Sequence, residues 1–492
     1  MVETTPARAY QDYDVVVVGH GVSGLSTAIA AHEAGATPVI LEKAPREKRG
    51  GHTQFAGGIF RFPMADPEAI ADELDLDRIP ERYTEEDFYD DLMEVSEGQA
   101  DHDLCSTFVE NATDAVRWIS EYGVDWHVVD HSEEPGFGTT VGGLQVDGEG
   151  AGVIEALSAH IEETGIDVHY DTEFVGLLTD DTRSVAGAAA VNDDGKVRYE
   201  APSVVVAAGS YVANDEKRVR YFGEDGDDYI VRGTRYNTGE AIDAAMDAGA
   251  KPDGEWGGAH RVLNDIEAPD VEGGRTRING YQYGVILNKN GERFVDEGED
   301  FLLKTYAKFG KRVHDQPDQQ AYVVFDAQVD DYVVSQLGTD PTQATSLREL
   351  FETLDVDDVD AAVSTVEAYN AACDPGAFDP HALDGNATSG LEIDKSNWAL
   401  PIEKPPYYCF PVASAITFAF GGLKITTEAE VLDRREKPIE GLWAVGNSTA
   451  EFFYENYPGG SALTRGATFG RIAGENAAAH ARATREVRAD GG

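Results

Sequence analysis

Of the 492 residues, 91 are Asp or Glu and 39 are Lys or Arg, so the formal net charge is −52 and the pI about 4.3. Such a field repels nucleic acid and anionic membranes, and no Lys/Arg-rich run able to neutralise phosphates occurs in the chain. With 41% hydrophobic and 9% aromatic residues the chain is too apolar for a disordered acidic polymer, and its length predicts two or three structural units.

Met1–Asp12 carries neither a basic region nor an apolar signal core, and no apolar run reaches the roughly 18 residues of a membrane span. A soluble, cytoplasmic protein without membrane insertion is expected. The first predicted element is the buried strand Asp14–Val18, a β-branched run too apolar for a half-exposed position. Gly19-His20-Gly21-Val22-Ser23-Gly24 follows, then an Ala-rich helix over Leu25–Ala34 closed by Gly35, then the strand Pro38–Leu41 ending at Glu42. This is a βαβ unit of the expected length. Further strands are predicted at Ser203–Ala208 before Gly209, and at Gly441–Val445 before Gly446. The stretch from about Glu255 to Pro405 mixes short strands (Gly284–Leu287, Ala321–Phe325) with helices (Leu347–Leu354, Val359–Ala372) and ends in Pro405-Pro406. It is read as an insertion, with a last helix over Gly466–Thr484. The predicted class is α/β: a Rossmann-like nucleotide-binding domain in two parts (1–255 and 406–492) around an inserted α+β capping domain (256–405). Cys105, Cys373 and Cys409 are dispersed, without CxxC or His/Cys metal spacing, so no metal site is expected.

The GxGxxG segment has its full context: strand before, helix after, and an acid at the end of the next strand. Gly19 serves the tight turn, Gly21 the approach of backbone to a pyrophosphate, and Gly24 the packing of helix on strand, while Glu42 is placed for a ribose diol. Gly50-Gly51-His52-Thr53-Gln54-Phe55-Ala56-Gly57-Gly58 lies just beyond the ribose acid. Two glycine pairs there bring backbone against a flat ligand, which favours FAD over NAD.

The C-terminal segment, Gly441-Leu442-Trp443-Ala444-Val445-Gly446-Asn447 followed by Asn456-Tyr457-Pro458-Gly459-Gly460-Ser461-Ala462-Leu463-Thr464, resembles the flavoproteins of the fumarate reductase and succinate dehydrogenase family, which includes the 3-ketosteroid dehydrogenases. Arg293–Phe301, Thr305–Gly310 and Ile416–Leu423 make the tricarballylate dehydrogenase group its nearest likeness. The resemblance implies an FAD domain with a cap closing over the flavin. It also implies hydride transfer between flavin N5 and a carbon beside a carboxylate or carbonyl, which forms or reduces a C=C bond. By motif, Gly19, Gly21, Ser23, Gly24, Glu42, Lys43, Gly51, His52, Thr53, Gly57, Gly58, Ala208, Gly209, Gly446, Asn447, Ser461 and Leu463 are implied to line FAD. The implied partners are a small carboxylate or carbonyl compound as substrate and a separate electron carrier.

Three departures from the dicarboxylate reductases stand out. Phe301 replaces an arginine proton donor, Phe418 a substrate histidine and Tyr457 a carboxylate-clamping arginine, so fumarate and succinate are not expected as natural substrates. The catalytic candidates are Tyr457, His260, Tyr306 and Lys308, with Arg275, Arg277 and Arg465 as spare cations. His52 aligns with the histidine that carries covalent FAD in membrane succinate dehydrogenases; a hydrogen bond to the cofactor is the other reading. A 3-ketosteroid-type or isoprenoid/lipid desaturase or reductase is the alternative activity. A flavin-dependent hydroxylase is the second, although Gly446-Asn447 stands where a Gly-Asp pair is required. A disulfide reductase lacks its CxxxxC pair, and a non-catalytic flavoprotein-like module is at odds with the complete set of cofactor glycines.

The acids are spread along the chain and only 13 of the 39 bases are Lys. This pattern resembles cytosolic proteins of extreme halophiles, where a Debye length of ~3 Å screens self-repulsion. Activity and folding are expected to fall on dialysis from molar KCl to ~0.1 M salt, where the Debye length is ~10 Å. Full activity retained at the lower salt contradicts this reading.

Overall fold

The computed structural model describes residues 8–128, 143–181, 184–374 and 376–490. Residues 1–7 of the N-terminal segment discussed above lie outside the described residues. Among the described residues no helix is long and apolar enough to cross a membrane.

The nucleotide-binding half is built on a six-stranded sheet in the order Glu430–Leu432, Pro438–Ala444, Ser203–Val206, Val15–Val18, Pro38–Leu41, Asp167–His169. All pairs are parallel except the first. Val15–Val18 is central and fully buried, as its four consecutive valines require of a strand covered on both faces. Its helix, Val22–Glu33, begins three residues before the predicted Leu25, because the second half of the glycine motif already has helical backbone. A four-stranded sheet (Arg8–Tyr10, Gly195–Glu200, Val185–Asn192, Glu173–Thr179) flanks this core.

The last helix runs over Ser461–Asp490, also longer than predicted, and packs along Val22–Glu33. Gly466, Gly470 and Gly474, spaced by four, lie on one stripe of it. A Cβ on Gly470 would stand 2.8 Å from the Ser23 carbonyl oxygen, and one on Gly474 2.4 Å from that of Thr27. Only glycine permits this approach, so the two helices run in backbone contact. Both N-termini open on the same side of the sheet.

The capping half centres on the 13-residue strand Tyr407–Ala419, which pairs with Gln320–Asp326, Ala259–Asp265, Thr342–Ala344 and Ile230–Val231. This strand lies beyond the boundary predicted at 405/406, yet it pairs with strands of the inserted stretch rather than with the six-stranded sheet. Pro411 within it, just beyond Pro405-Pro406, obscures it in the sequence, since proline argues against a paired strand. Helix Leu302–His314 lies against Ala259–Asp265. Helices Leu347–Glu352 and Val359–Ala372 cover an outer core around Phe351, Val366 and Tyr369.

Candidate active site

One continuous cleft runs from Glu42, past both glycine segments, to the cap.

At one end, Gly19, Gly21, Ser23, Glu42 and Lys43 line the wall. Gly24 does not. A Cβ there would stand 2.0 Å from the Gly19 carbonyl oxygen, so its role is the tight packing of helix on turn. Glu42 accepts hydrogen bonds from the backbone N–H of His20 (3.0 Å) and of Ala44 (2.7 Å), which fix the carboxyl while burial raises its pKa. Each oxygen keeps a lone pair for a diol. Lys43 is held by Glu240 at 3.1 Å. The Thr53 hydroxyl accepts from the Val22 N–H (3.1 Å), capping the first helix from a distant turn, since Gly21 has no side chain to do so. His20, at a variable position of the motif and missed in the sequence, lines the same end. It approaches the Tyr170 hydroxyl at 3.2 Å, its Nδ1 has no partner, and burial with nearby Arg49 lowers its pKa to about 3.

The middle of the cavity is lined by Gly51, His52, Thr53, Gly57, Gly58, Ala208, Gly209, Gly446, Asn447 and Leu463. Ser461 is buried outside the lining, with its hydroxyl donating to the Pro458 carbonyl at 2.7 Å. His52 has Nδ1 3.2 Å from the Asn237 amide nitrogen and an unpartnered Nε2. A Cβ on Gly233 would stand 2.3 Å from that Nε2, so this edge of the ring is turned onto backbone. Burial and Arg232 lower the His52 pKa to about 4, which keeps it neutral. The unpartnered polar atoms of His20 and Asn237, set among glycines beside two helix N-termini, fit FAD. Glu42 would hold the ribose, the Gly19–Ser23 turn the pyrophosphate, and the central glycines the ring.

The far end is aromatic and cationic. His260 and Phe418 face each other in register across paired strands, with a bulge after His260 that sets the direction of its ring. The imidazole stacks on Phe418 (centroids 5.4 Å apart) and meets the edges of Tyr306 (5.0 Å) and Tyr457 (5.1 Å). Burial and the charges of Arg232 and Arg277 hold it well below the usual histidine pKa, so it is neutral. Its Nδ1 is buried and unpartnered. Tyr457 Oη accepts the Gly460 N–H at 2.9 Å, which leaves its own proton to donate. Tyr306 lies beneath the Arg277 guanidinium, 4.5 Å from ring centroid to Cζ, and burial raises its pKa. Leu303 and Tyr306, three residues apart on Leu302–His314, both face the cavity.

Two sequence expectations are corrected at this end. Lys308 does not line the cavity, and its ammonium is paired with Glu299 at 2.6 Å. Phe301 does not line it either. It precedes the helix and packs on Trp398 at 5.7 Å, so the residue reaching the cavity from this segment is Tyr306. Of the spare cations, Arg277 lines the cavity, with Nε donating to Asn279 Oδ1 (2.7 Å). Arg275 also lines it but is paired with Glu149. Arg232 was missed altogether. It lines the cavity with only long contacts to the Thr276 and Thr417 hydroxyls (3.4 Å each), and no carboxylate among the described residues pairs with it. Burial and Arg277 depress its pKa to about 9, so it stays charged at neutral pH. Nothing in the local sequence separates it from Arg235, which is exposed and bound to Glu272.

Fold and site together define a flavin-dependent oxidoreductase. Residues 14–463 match the FAD binding domain family, and the chain belongs to it. FAD is its cofactor. A NADH:fumarate oxidoreductase of Klebsiella pneumoniae is 29% identical, aligned over 96% of this chain and 48% of its own length; this chain thus spans about half of that relative. A probable fumarate reductase, Ifc3, of Shewanella frigidimarina is 30% identical over 95% of this chain and 75% of its own. The open conformation of a flavocytochrome c3 fumarate reductase superposes with a TM-score of 0.73 and 26% identity, over 97% of this chain and 79% of that one.

Because the Nε2 edge of His52 is packed on Gly233, the flavin is expected to be non-covalent. Acid precipitation then leaves the yellow colour in the supernatant; flavin retained on the precipitate contradicts this.

Proposed function

We propose that the chain interconverts a C=C and a CH–CH bond next to a carboxylate, with Arg232 and Arg277 receiving the carboxylate. The observation that carries this reading is a pair of cavity-facing cations in a protein of net charge −52, one of them without an acidic partner among the described residues. A half-buried guanidinium without an anion is under-satisfied, and a bidentate carboxylate satisfies it.

Bound FAD supplies hydride acceptance and donation. The protein's part is to orient the substrate and manage one proton. Arg232 and Arg277 draw electron density toward the carboxylate, which favours charge build-up on the adjacent carbon. Tyr306 holds its proton at neutral pH, and the Arg277 cation over its ring lessens the penalty of releasing it, so it serves as proton carrier. Tyr457, anchored by the Gly460 N–H, donates to a substrate oxygen. His260, neutral and ringed by three aromatics, packs the substrate and offers its unpartnered nitrogen. Electrons arrive from a separate carrier.

Phe418, Tyr457, Tyr306 and Leu303 give the remainder of the substrate an apolar wall, which favours an unsaturated acid bulkier and less polar than fumarate. Tricarballylate is the second substrate to try, on the likeness of the Arg293–Phe301 and Ile416–Leu423 segments. Its three carboxylates would draw on Arg275 as well.

Arg232→Leu is expected to raise KM for the acid at least about tenfold, from lost charge-assisted hydrogen bonds, with the flavin spectrum unchanged. Tyr306→Phe is expected to lower kcat about 100-fold at nearly constant KM. Steady-state kinetics of the two variants read both effects; an unchanged KM in Arg232→Leu removes the proposed carboxylate site.

A further inference from the structure

Arg465 lies in the first turn of helix Ser461–Asp490, is 2% exposed and lines no part of the cavity. Its Nη2 donates to Asn447 Oδ1 at 2.8 Å, its Nε has no partner, and its guanidinium carbon is 4.7 Å from the centroids of both Phe452 and Phe453. No carboxylate among the described residues comes within ion-pair distance of it. The titratable groups acting on it are Tyr457 and Cys105, both with pKa values raised by burial and therefore uncharged. Burial lowers the pKa of Arg465 only to about 9, so the charge persists. Two phenyl faces offset part of its desolvation, but the site holds a cation without an anion.

The contact with Asn447 gives this charge a direction. Because Oδ1 accepts from Arg465, the amide N–H₂ is the arm left to donate, and Asn447 lines the flavin part of the cavity beside Leu463. The N-terminus of Ser461–Asp490, which carries partial positive charge, opens on the same wall. We propose that Arg465 is a positioning residue that, through Asn447, stabilises the negative charge gained by the pyrimidine edge of the flavin on reduction, and so raises its reduction potential. This rests on the cofactor and not on the substrate reading, so either can fail alone.

The test uses FAD-loaded wild type, Arg465→Met and Arg465→Lys in dye-equilibrated reductive titration. Sulfite binding gives an independent readout. Sulfite adds to flavin N5, its sulfur lone pair forming the S–N bond while the displaced electron pair settles on N1 and the C2 carbonyl, with no leaving group. Arg465→Met is expected to disfavour the reduced flavin about tenfold, a fall of about 30 mV for this two-electron couple. Sulfite affinity falls by a similar factor, and Arg465→Lys retains most of both. If Arg465→Met does not load FAD, wild type alone decides. Stabilised negative charge predicts uptake of one proton per two electrons across neutral pH, and two protons per two electrons overturns the proposal. Unchanged potential and sulfite affinity in a loaded Arg465→Met also overturn it.

Discussion

Helix Ser461–Asp490 lies on helix Val22–Glu33 through glycines spaced by four, and this backbone contact fixes where both N-termini point. The N-terminus at Val22 lies at the glycine turn that would hold the pyrophosphate, while the one at Ser461 presents Gly459, Gly460 and Leu463 to the middle of the same cavity. A side chain at Gly470 or Gly474 would force the helices apart and misalign the two halves of the cofactor site. The remaining parts are arranged around that axis. Thr53 caps the first helix across the cavity wall, Arg61 donates to the Gly459 carbonyl at 2.7 Å, and the Tyr457 hydroxyl closes onto Gly460.

The outer and inner electrostatics oppose each other. The chain carries −52 in formal charge, yet Arg232 and Arg277 face the cavity and Arg465 and Arg61 lie buried behind its wall. The exterior field is screened within a Debye length, whereas charges in a poorly hydrated cavity act at short range and high strength. The carboxylate substrate proposed above would therefore meet repulsion at a distance and attraction on arrival. The three neutral groups among these cations, His260, His52 and Tyr306, keep their protonation states because adding a positive charge there is penalised and the buried phenol holds its proton.

How much was legible in the sequence follows from how local each determinant is. The valine run, the GxGxxG turn and Glu42 form one continuous unit, so the strand, the helix and the acid closing the next strand were readable. Both helices begin earlier than predicted because glycine and serine at the motif ends look like loop while their backbone is already helical. The cap sheet was harder, since its central strand Tyr407–Ala419 holds Pro411 and gathers partners from four separate stretches of chain. Arg232 owes its role to that assembly, which turns the end of Ile230–Val231 toward Tyr306 and Arg277. The misplacement of Phe301 has a similar cause: alignment puts it on the reactive position, but Leu302–His314 turns Leu303 and Tyr306 inward instead.

The claim that a carboxylate is the handle by which substrate is held is tested most directly by reoxidation of the chemically reduced enzyme under anaerobic conditions. Matched α,β-unsaturated acids and their methyl esters are compared, followed by flavin absorbance. Rapid return of the oxidised spectrum is expected with an acid bearing an aryl or branched alkyl group, and a rate lower by at least about tenfold with its ester, the equivalent of ~1.4 kcal/mol. Equal rates with acid and ester would contradict that claim.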